Sequence, residues 1–200
     1  MNPTQKIKYF TCISITVEKI RPECLYFLEQ IASEFYLALA TKINDKRIAK
    51  SLEIVGRESK NHAEIIETFF GRPENMDQCL KMFGREGSQM LLEMKKTVEE
   101  VSRREYLSLE EIARLLEKFN SLELVAGEEI YSKIYASLLE MEAKDLLKVL
   151  LKSISSQEDF HYKIVSEVLR ELKKYISVFV SFFGNEVWFG ALSCDVFAEH

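Results

Sequence analysis

The sequence predicts an all-α protein built on a four-helix bundle, with a helical insertion between the second and third bundle helices and an apolar helical tail. Three prolines and seven glycines in 200 residues leave few breaks, which favours long helices over many turns. Apolar residues recur at three-to-four spacing, the period of an α-helix. The apolar fraction of 47% is enough for a substantial core.

The first two bundle helices are predicted on either side of a short break. Residues 1–21 precede them and leave two interpretations open, a short strand or a packed extension, of which we favour the extension because a lone strand has no partner. The first helix is predicted over 22–43 and begins at Pro22, a residue that suits the first helical turn. Asp45 is then a suitable N-cap for the second helix, which Gly71 stops.

Residues 74–119 are predicted to form a helical insertion packed beside the bundle. It begins with a short helix that ends at the glycine-containing residues 84–87, followed by a charged helix over about 88–105. Ser108 and Glu111 have the spacing of a capping box, so a further helix is predicted to start there. No combination of residues in this segment suggests chemistry.

The remaining bundle helices are predicted over about 121–142 and from Asp145 to about Tyr175. The apolar segment 176–200 follows. It is either a docking face for a partner or membrane surface, or a last helix packed on the bundle, and we favour the second interpretation. The predicted domain is therefore 22–175, between an extension at 1–21 and this tail.

Composition argues against several classes of function. A net charge of −5 without a basic cluster argues against a nucleic-acid surface. The four cysteines include no C-x-x-C pair, which argues against a zinc ribbon, and a reducing cytoplasm is the expected location. We also expect neither a signal peptide nor a transmembrane helix.

A Glu-x-x-His pair in the fourth bundle helix is the clearest sign of chemistry. Glu158 and His161 lie three residues apart, so both side chains project from one helical face and can reach a common point. A carboxylate and an imidazole together suit a divalent metal. Of the other two histidines, His62 follows Glu58 at four-residue spacing in the second helix. If the pairs are instead salt-linked surface features, the chain is an interaction protein without metal.

Each bundle helix carries at least one acid that a bundle can direct at its axis. Four carboxylates and two imidazoles suit two iron ions, with manganese or zinc as alternatives. Gly56, close to Glu58, has two explanations, a close helix approach near such a site or simple helix packing. The predicted metal ligands are Glu29, Glu58, His62, Glu128, Glu158 and His161.

Four segments, in the same order, resemble the diiron domain of rubrerythrin, a ferritin-like family. The resemblance covers about 22–70 and 121–173, and rests on residues 29–36, 58–63, 126–135 and 158–161. It implies ligands at Glu29, His62, Glu128, Glu158 and His161. Two positions depart from the family pattern: Ser59 replaces the acid of the second helix, and Tyr131 replaces an extra carboxylate of the third. The family's electron-delivering rubredoxin domain also has no counterpart among these motifs.

The resemblance implies a non-haem dinuclear protein that reduces peroxide or dioxygen with electrons from an external donor protein. It also implies a homodimer. Tyr36, Tyr131 and Tyr135 are expected to donate hydrogen bonds or protons to bound oxygen, or else to be ordinary core residues. The alternative function is a ferritin-like scaffold with a partial or lost site, acting in metal binding or protein interaction.

Overall fold

The computed structural model describes residues 21–126 and 145–183, in which every regular element is helical and no strand occurs. The predicted all-α class is therefore confirmed. None of the described helices combines the length and apolar character that a membrane span needs. The elements are a 3-10 turn at Pro22–Cys24 and helices α1 (Leu25–Ala40), α2 (Lys46–Phe70), α3 (Met76–Met82), α4 (Gly84–Arg103), α5 (Leu109–Ala126) and α6 (Asp145–Phe183).

Helices α1 and α2 form the tightest pair. Asp45 caps α2 as predicted, because its Oδ1 accepts hydrogen bonds from the backbone N–H groups of Arg47 and Ile48 at 2.8 and 3.2 Å. Gly56 of α2 faces α1, where a Cβ on it would lie 2.9 Å from Leu37 Cγ and 3.1 Å from the Leu37 backbone nitrogen. A side chain at this position would crowd Leu37, so the packing of α1 on α2 is enough to explain the glycine.

The boundaries predicted for the insertion and the third bundle helix are partly wrong. The short helix α3 ends just before Gly84, as predicted, but α4 starts at Gly84 and not near 88, because Gly84 makes the turn between the two helices with a φ of 68°. Helix α5 begins after the predicted capping box, in which Ser108 and Glu111 exchange hydrogen bonds of 2.9 and 3.2 Å. It then runs to Ala126 without interruption, because no residue near 120 breaks it.

The fourth bundle helix is longer than predicted. Helix α6 continues beyond Tyr175 to Phe183, so the first residues of the predicted apolar tail belong to it. No proline or glycine occurs between Asp145 and Phe183, which is why nothing stops the helix earlier. The N-terminal extension up to residue 20 and the predicted third helix beyond Ala126 lie outside the described residues.

The packing brings α1, α2, α5 and α6 around a common interior. Helix α1 packs on α2 and α4, α5 packs on α4 and α6, and α6 also packs on α2. Phe35 of α1 stacks on Phe119 of α5, with the ring centroids 3.8 Å apart. The segment predicted as an insertion thus supplies helices that contact α1 directly, and acids on four helices face one interior.

A disulfide bond joins Cys24, at the start of α1, to Cys79 of α3. Both cysteines are buried, and 55 residues separate them in sequence, so their spacing gave no sign of the pairing. Disulfides are rare in reducing compartments. The predicted cytoplasmic location therefore gains no support from this pair.

Candidate metal centre

Three of the predicted ligands meet where α1, α2 and α6 come together. The Nδ1 atom of His62 lies 3.4 Å from Glu29 Oε2 and 3.2 Å from Glu158 Oε1. One ligand atom from each residue lies within 4.8 Å of the others, a spacing that can hold a metal ion. The acid of the first helix and the Glu-x-x-His helix thus converge as the sequence predicts.

The tight α1–α2 pair buries its two contributions almost completely. Glu29 is 4% exposed and His62 is 1% exposed. His62 lies on the same buried stripe of α2 as Val55, Ser59 and Ile66, so helical periodicity alone directs it inward. An ionised acid is too unfavourable in such a place without a charge partner, so a cation or a proton must accompany Glu29.

His161 lies at the other side of Glu158. Its Nδ1 is 3.5 Å from Glu158 Oε1, and its ring lies nearly parallel to that of His62 with centroids 5.6 Å apart. Glu158 Oε1 therefore lies between two imidazole nitrogens, 3.2 Å from one and 3.5 Å from the other. This oxygen is therefore within 3.5 Å of the Nδ1 atoms of both histidines.

The central atoms of this cluster have no hydrogen-bond partner within the described part of the chain. His62 Nδ1, His161 Nδ1 and Glu158 Oε1 are all buried and make no hydrogen bond there. Buried polar atoms without partners are rare in folded proteins and call for an explanation. Ligation to an ion would satisfy all three.

The distances fit a first-row metal. For ligand bonds of about 2.1 Å, tetrahedral geometry separates neighbouring ligand atoms by about 3.4 Å and octahedral geometry by about 3.0 Å. The three contacts around Glu158 Oε1 and His62 Nδ1, at 3.2, 3.4 and 3.5 Å, fall in or next to this interval. These pairs of atoms are thus close to coordination spacing, and the full Glu29–His62–Glu158 set lies within 4.8 Å.

Without an ion, the cluster holds a proton. Burial acts to lower the pKa of His62, but the contacts with the carboxylates of Glu158 and Glu29 outweigh burial and raise the pKa to about 11. The imidazolium then supplies the positive charge that the acids require. A metal ion entering this site must displace that proton.

Each imidazole also contacts, through its Nε2 atom, a side chain of the other of the two helices α2 and α6. His62 Nε2 lies 2.6 Å from Gln157 Oε1 of α6, and His161 Nε2 lies 2.7 Å from Glu58 Oε2 of α2. Glu58, predicted to bind metal together with His62, thus contacts the other histidine instead. The reason lies in the helical register, because Ser59 takes the inward position of α2 and its hydroxyl donates to Val55 O.

A fifth acid, which the sequence analysis did not single out, lies beside the centre. Glu123 of α5 accepts a hydrogen bond from the hydroxyl of the fully buried Tyr36. Burial raises the pKa of Glu123 well above its usual value and the nearby Glu158 raises it further, although the Tyr36 hydrogen bond opposes both. Burial followed by the charge of Glu123 likewise raises the pKa of Tyr36.

Glu123 was missed because the third bundle helix was predicted to use Glu128. Positions five apart in a helix do not share a face, so a prediction centred on Glu128 does not point to Glu123. The signal that could have found Glu123 is the continuity of α5 from Ser108, which sets the register of the inward face. Glu128, Tyr131 and Tyr135 lie outside the described residues, so their roles stay predictions.

The chain matches no protein-family model, no curated protein and no solved structure. The likeness to rubrerythrin thus rests on the motifs of this sequence.

Proposed function

We propose that the protein is a non-haem metal protein of rubrerythrin-like type, which reduces peroxide or dioxygen with electrons from a separate donor. The observation that carries this proposal is the convergence of His62 Nδ1, His161 Nδ1 and Glu158 Oε1, buried and without hydrogen bonds in the described residues, beside Glu29. An ion bound between them would satisfy all three atoms at once, whereas a proton on His62 pairs His62 Nδ1 with Glu158 Oε1 and leaves His161 Nδ1 without a partner among the described residues.

The donor set favours iron or manganese, with zinc as a redox-inactive substitute. Carboxylates suit manganese and imidazoles suit iron and zinc, while the absence of thiolates among the clustered residues disfavours a copper(I) site. Iron or manganese would also supply the redox chemistry that peroxide reduction needs and that zinc cannot provide.

Two ion positions are part of the proposal. The first is formed by Glu29, His62 and Glu158, and the second by His161 and the same oxygen of Glu158. A second ion would need a further acid, for which Glu123 is the described candidate, because it lies close enough for the charges of Glu158 and Glu29 to raise its pKa in addition to burial. Glu128, five residues further on, is the predicted one.

The chain's own residues have defined tasks in this reaction. Reduction of hydrogen peroxide to two waters consumes two electrons and two protons. The metal supplies the redox step, and the electrons come from the external donor. Tyr36 keeps its proton because its pKa is raised, and its hydroxyl donates to Glu123, so this pair holds protons next to the acids.

Metal analysis of the purified chain tests the proposal. We expect about two iron or manganese ions per chain in the wild type, and consumption of hydrogen peroxide when a chemical reductant is supplied. Glu158→Gln should lose most of the metal because this oxygen faces both histidines. Glu64→Gln, an exposed change on α2, is the matched control. A wild-type chain that takes up no metal would refute the proposal.

The pH dependence of metal binding gives a second test. Because the pKa of His62 is raised from 6.5 to about 11, the ion competes with a proton below pH 11. The apparent affinity for zinc should rise with pH across the neutral range. In the metal-free chain the same proton stabilises the fold fully below pH 6.5, and this stabilisation falls as pH rises towards 11. A flat affinity between pH 6 and 8 would contradict this account.

A non-catalytic metal-binding scaffold is the second candidate. It is favoured by the finding that the described residues offer one three-residue metal group and not two. One ion per chain, with no peroxide consumption by the iron-loaded or manganese-loaded protein, would establish this function in place of the first.

A further inference from the structure

The two histidines of the centre are held by reciprocal contacts between α2 and α6. His62 of α2 contacts Gln157 of α6 through Nε2, and His161 of α6 contacts Glu58 of α2 through Nε2, at 2.6 and 2.7 Å. Both contacts lie on the side of the ring away from Glu158. Neither Glu58 nor Gln157 belongs to the three-residue metal group.

These contacts determine which ring nitrogen can bind a metal. A neutral imidazole carries one N–H, and the hydrogen bond made by one nitrogen fixes the state of the other. A carboxylate only accepts, so Glu58 places the proton of His161 on Nε2 and leaves the Nδ1 lone pair directed at Glu158. Gln157 does the same for His62 because its oxygen faces the ring.

We propose that Glu58 and Gln157 are positioning residues that select Nδ1 as the metal-binding atom of both histidines. The inference rests on the proposed metal centre. It also makes the two histidines unequal ligands, because a carboxylate behind the ring makes an imidazole a stronger donor than an amide does. His161 is then the stronger donor and His62 the weaker.

Zinc binding by variants of the full chain tests this role. Removing such a partner typically weakens metal affinity by about 10- to 100-fold, which we expect for Glu58→Ala and for Gln157→Ala. Glu58→Gln and Gln157→Glu retain an acceptor of similar size and should restore most of the affinity. Glu64→Ala, on the exposed side of α2, should bind zinc like the wild type.

Long-range proton–nitrogen NMR of the histidine rings reads the tautomer directly in the zinc-loaded chain. In the wild type we expect zinc on Nδ1 and a proton on Nε2 for both His62 and His161. In Glu58→Ala, a share of His161 should bind through Nε2, whereas His62 should be unchanged. A helical melting transition measured by circular dichroism confirms that each variant folds.

The outcomes separate the two proposals. If the wild type binds no zinc, the metal centre itself is wrong and the positioning role falls with it. If the wild type binds zinc but both alanine variants match its affinity and ring tautomers, the centre stands and the positioning role alone is wrong. Zinc on Nε2 in the wild type would also overturn the inference.

Discussion

The pair formed by α1 and α2 and the long helix α6 contribute to the same centre in different ways. In the pair, residues such as Leu39, Leu52 and Val55 are completely buried. Helix α6 is also packed on one side, but it exposes apolar side chains, among them Leu146 and Val149 at 62% and 64%. Apolar packing therefore fixes the pair more firmly than it fixes α6.

The same contrast is found in the ligands. Glu29 and His62 are almost completely enclosed, whereas the side chain of Glu158 is 27% exposed. Polar contacts of Glu58 and Gln157 connect α6 to α2 at the centre. The comparison indicates that the part of the metal centre on α1 and α2 is preformed. The part on α6 is held less firmly, and a bound ion would fix it in place. The following experiments test this division.

The largest expected effect comes from the core of the pair. Leu52→Ala removes a fully buried side chain of α2 and should lower the free energy of unfolding by about 2–5 kcal/mol. Val149→Ala removes exposed atoms of α6 and should change it by no more than about 0.5 kcal/mol. Urea unfolding of both variants gives the two values. Similar losses of unfolding free energy in the two variants would contradict the proposed difference in packing between the α1–α2 pair and α6.

The disulfide should give the next largest effect. Replacing Cys24 and Cys79 together by alanine removes a cross-link that closes a loop with a sequence separation of 55 residues. The loss should be about 2–4 kcal/mol of unfolding free energy. Chemical denaturation measures it, and mass spectrometry of unreduced peptides checks the bond. If no peptide pair containing Cys24 and Cys79 is found, the cross-link is absent and this prediction is wrong.

Metal should stabilise α6 against proteolysis. Both regions carry tryptic sites, such as Arg57 in α2 and Lys163 in α6, so trypsin can compare them in one experiment. In the metal-free chain we expect the first cuts in α6, because less apolar packing opposes its local opening. Zinc at 100 times its dissociation constant adds about 2.7 kcal/mol, which should slow cleavage about 100-fold. If trypsin first cuts in α2, then α2 opens more readily than α6 and the proposed order of stability is wrong.

The features that were predicted correctly depend on interactions between residues close together in sequence. The all-α class, the Asp45 cap and the capping box of Ser108 and Glu111 follow from periodicity and short-range hydrogen bonds. Glu29, His62 and Glu158 were predicted together and do meet. For these residues, helical period and register are enough to define the inward face.

The features that were missed depend on contacts between distant segments. The Cys24–Cys79 bond, the pairing of Glu58 with His161 and the pairing of Glu123 with Tyr36 each join residues that are far apart in sequence. No local pattern specifies these partners. Two helix boundaries were also wrong: α4 starts at Gly84 rather than near 88, and α5 continues through 120, where a new helix was predicted to begin.

The smallest expected effect lies at the N-terminus of α2, where the two regions touch away from the centre. Hydrogen bonds from the Arg47 side chain and from the N–H groups of Ile48 and Arg47 lower the pKa of Asp45 to about 2. Tyr175 of α6 also donates to Asp45, at 3.1 Å. Asp45→Ala removes both the N-cap of α2 and the hydrogen bond with Tyr175. It should lower the melting temperature by about 2–4 °C.

Two further variants separate the effect of the N-cap from that of the Tyr175–Asp45 hydrogen bond. Asp45→Asn keeps an oxygen for the backbone N–H groups, and Tyr175→Phe removes only the contact with α6, so both should melt close to the wild type. Because the pKa of Asp45 falls on folding from 3.8 to about 2, its stabilisation is complete above pH 3.8 and is lost as pH falls through 2. The wild type should therefore lose stability over this acid range more steeply than Asp45→Asn. If Tyr175→Phe is as destabilising as Asp45→Ala, α6 is fixed here more firmly than its exposed face indicates.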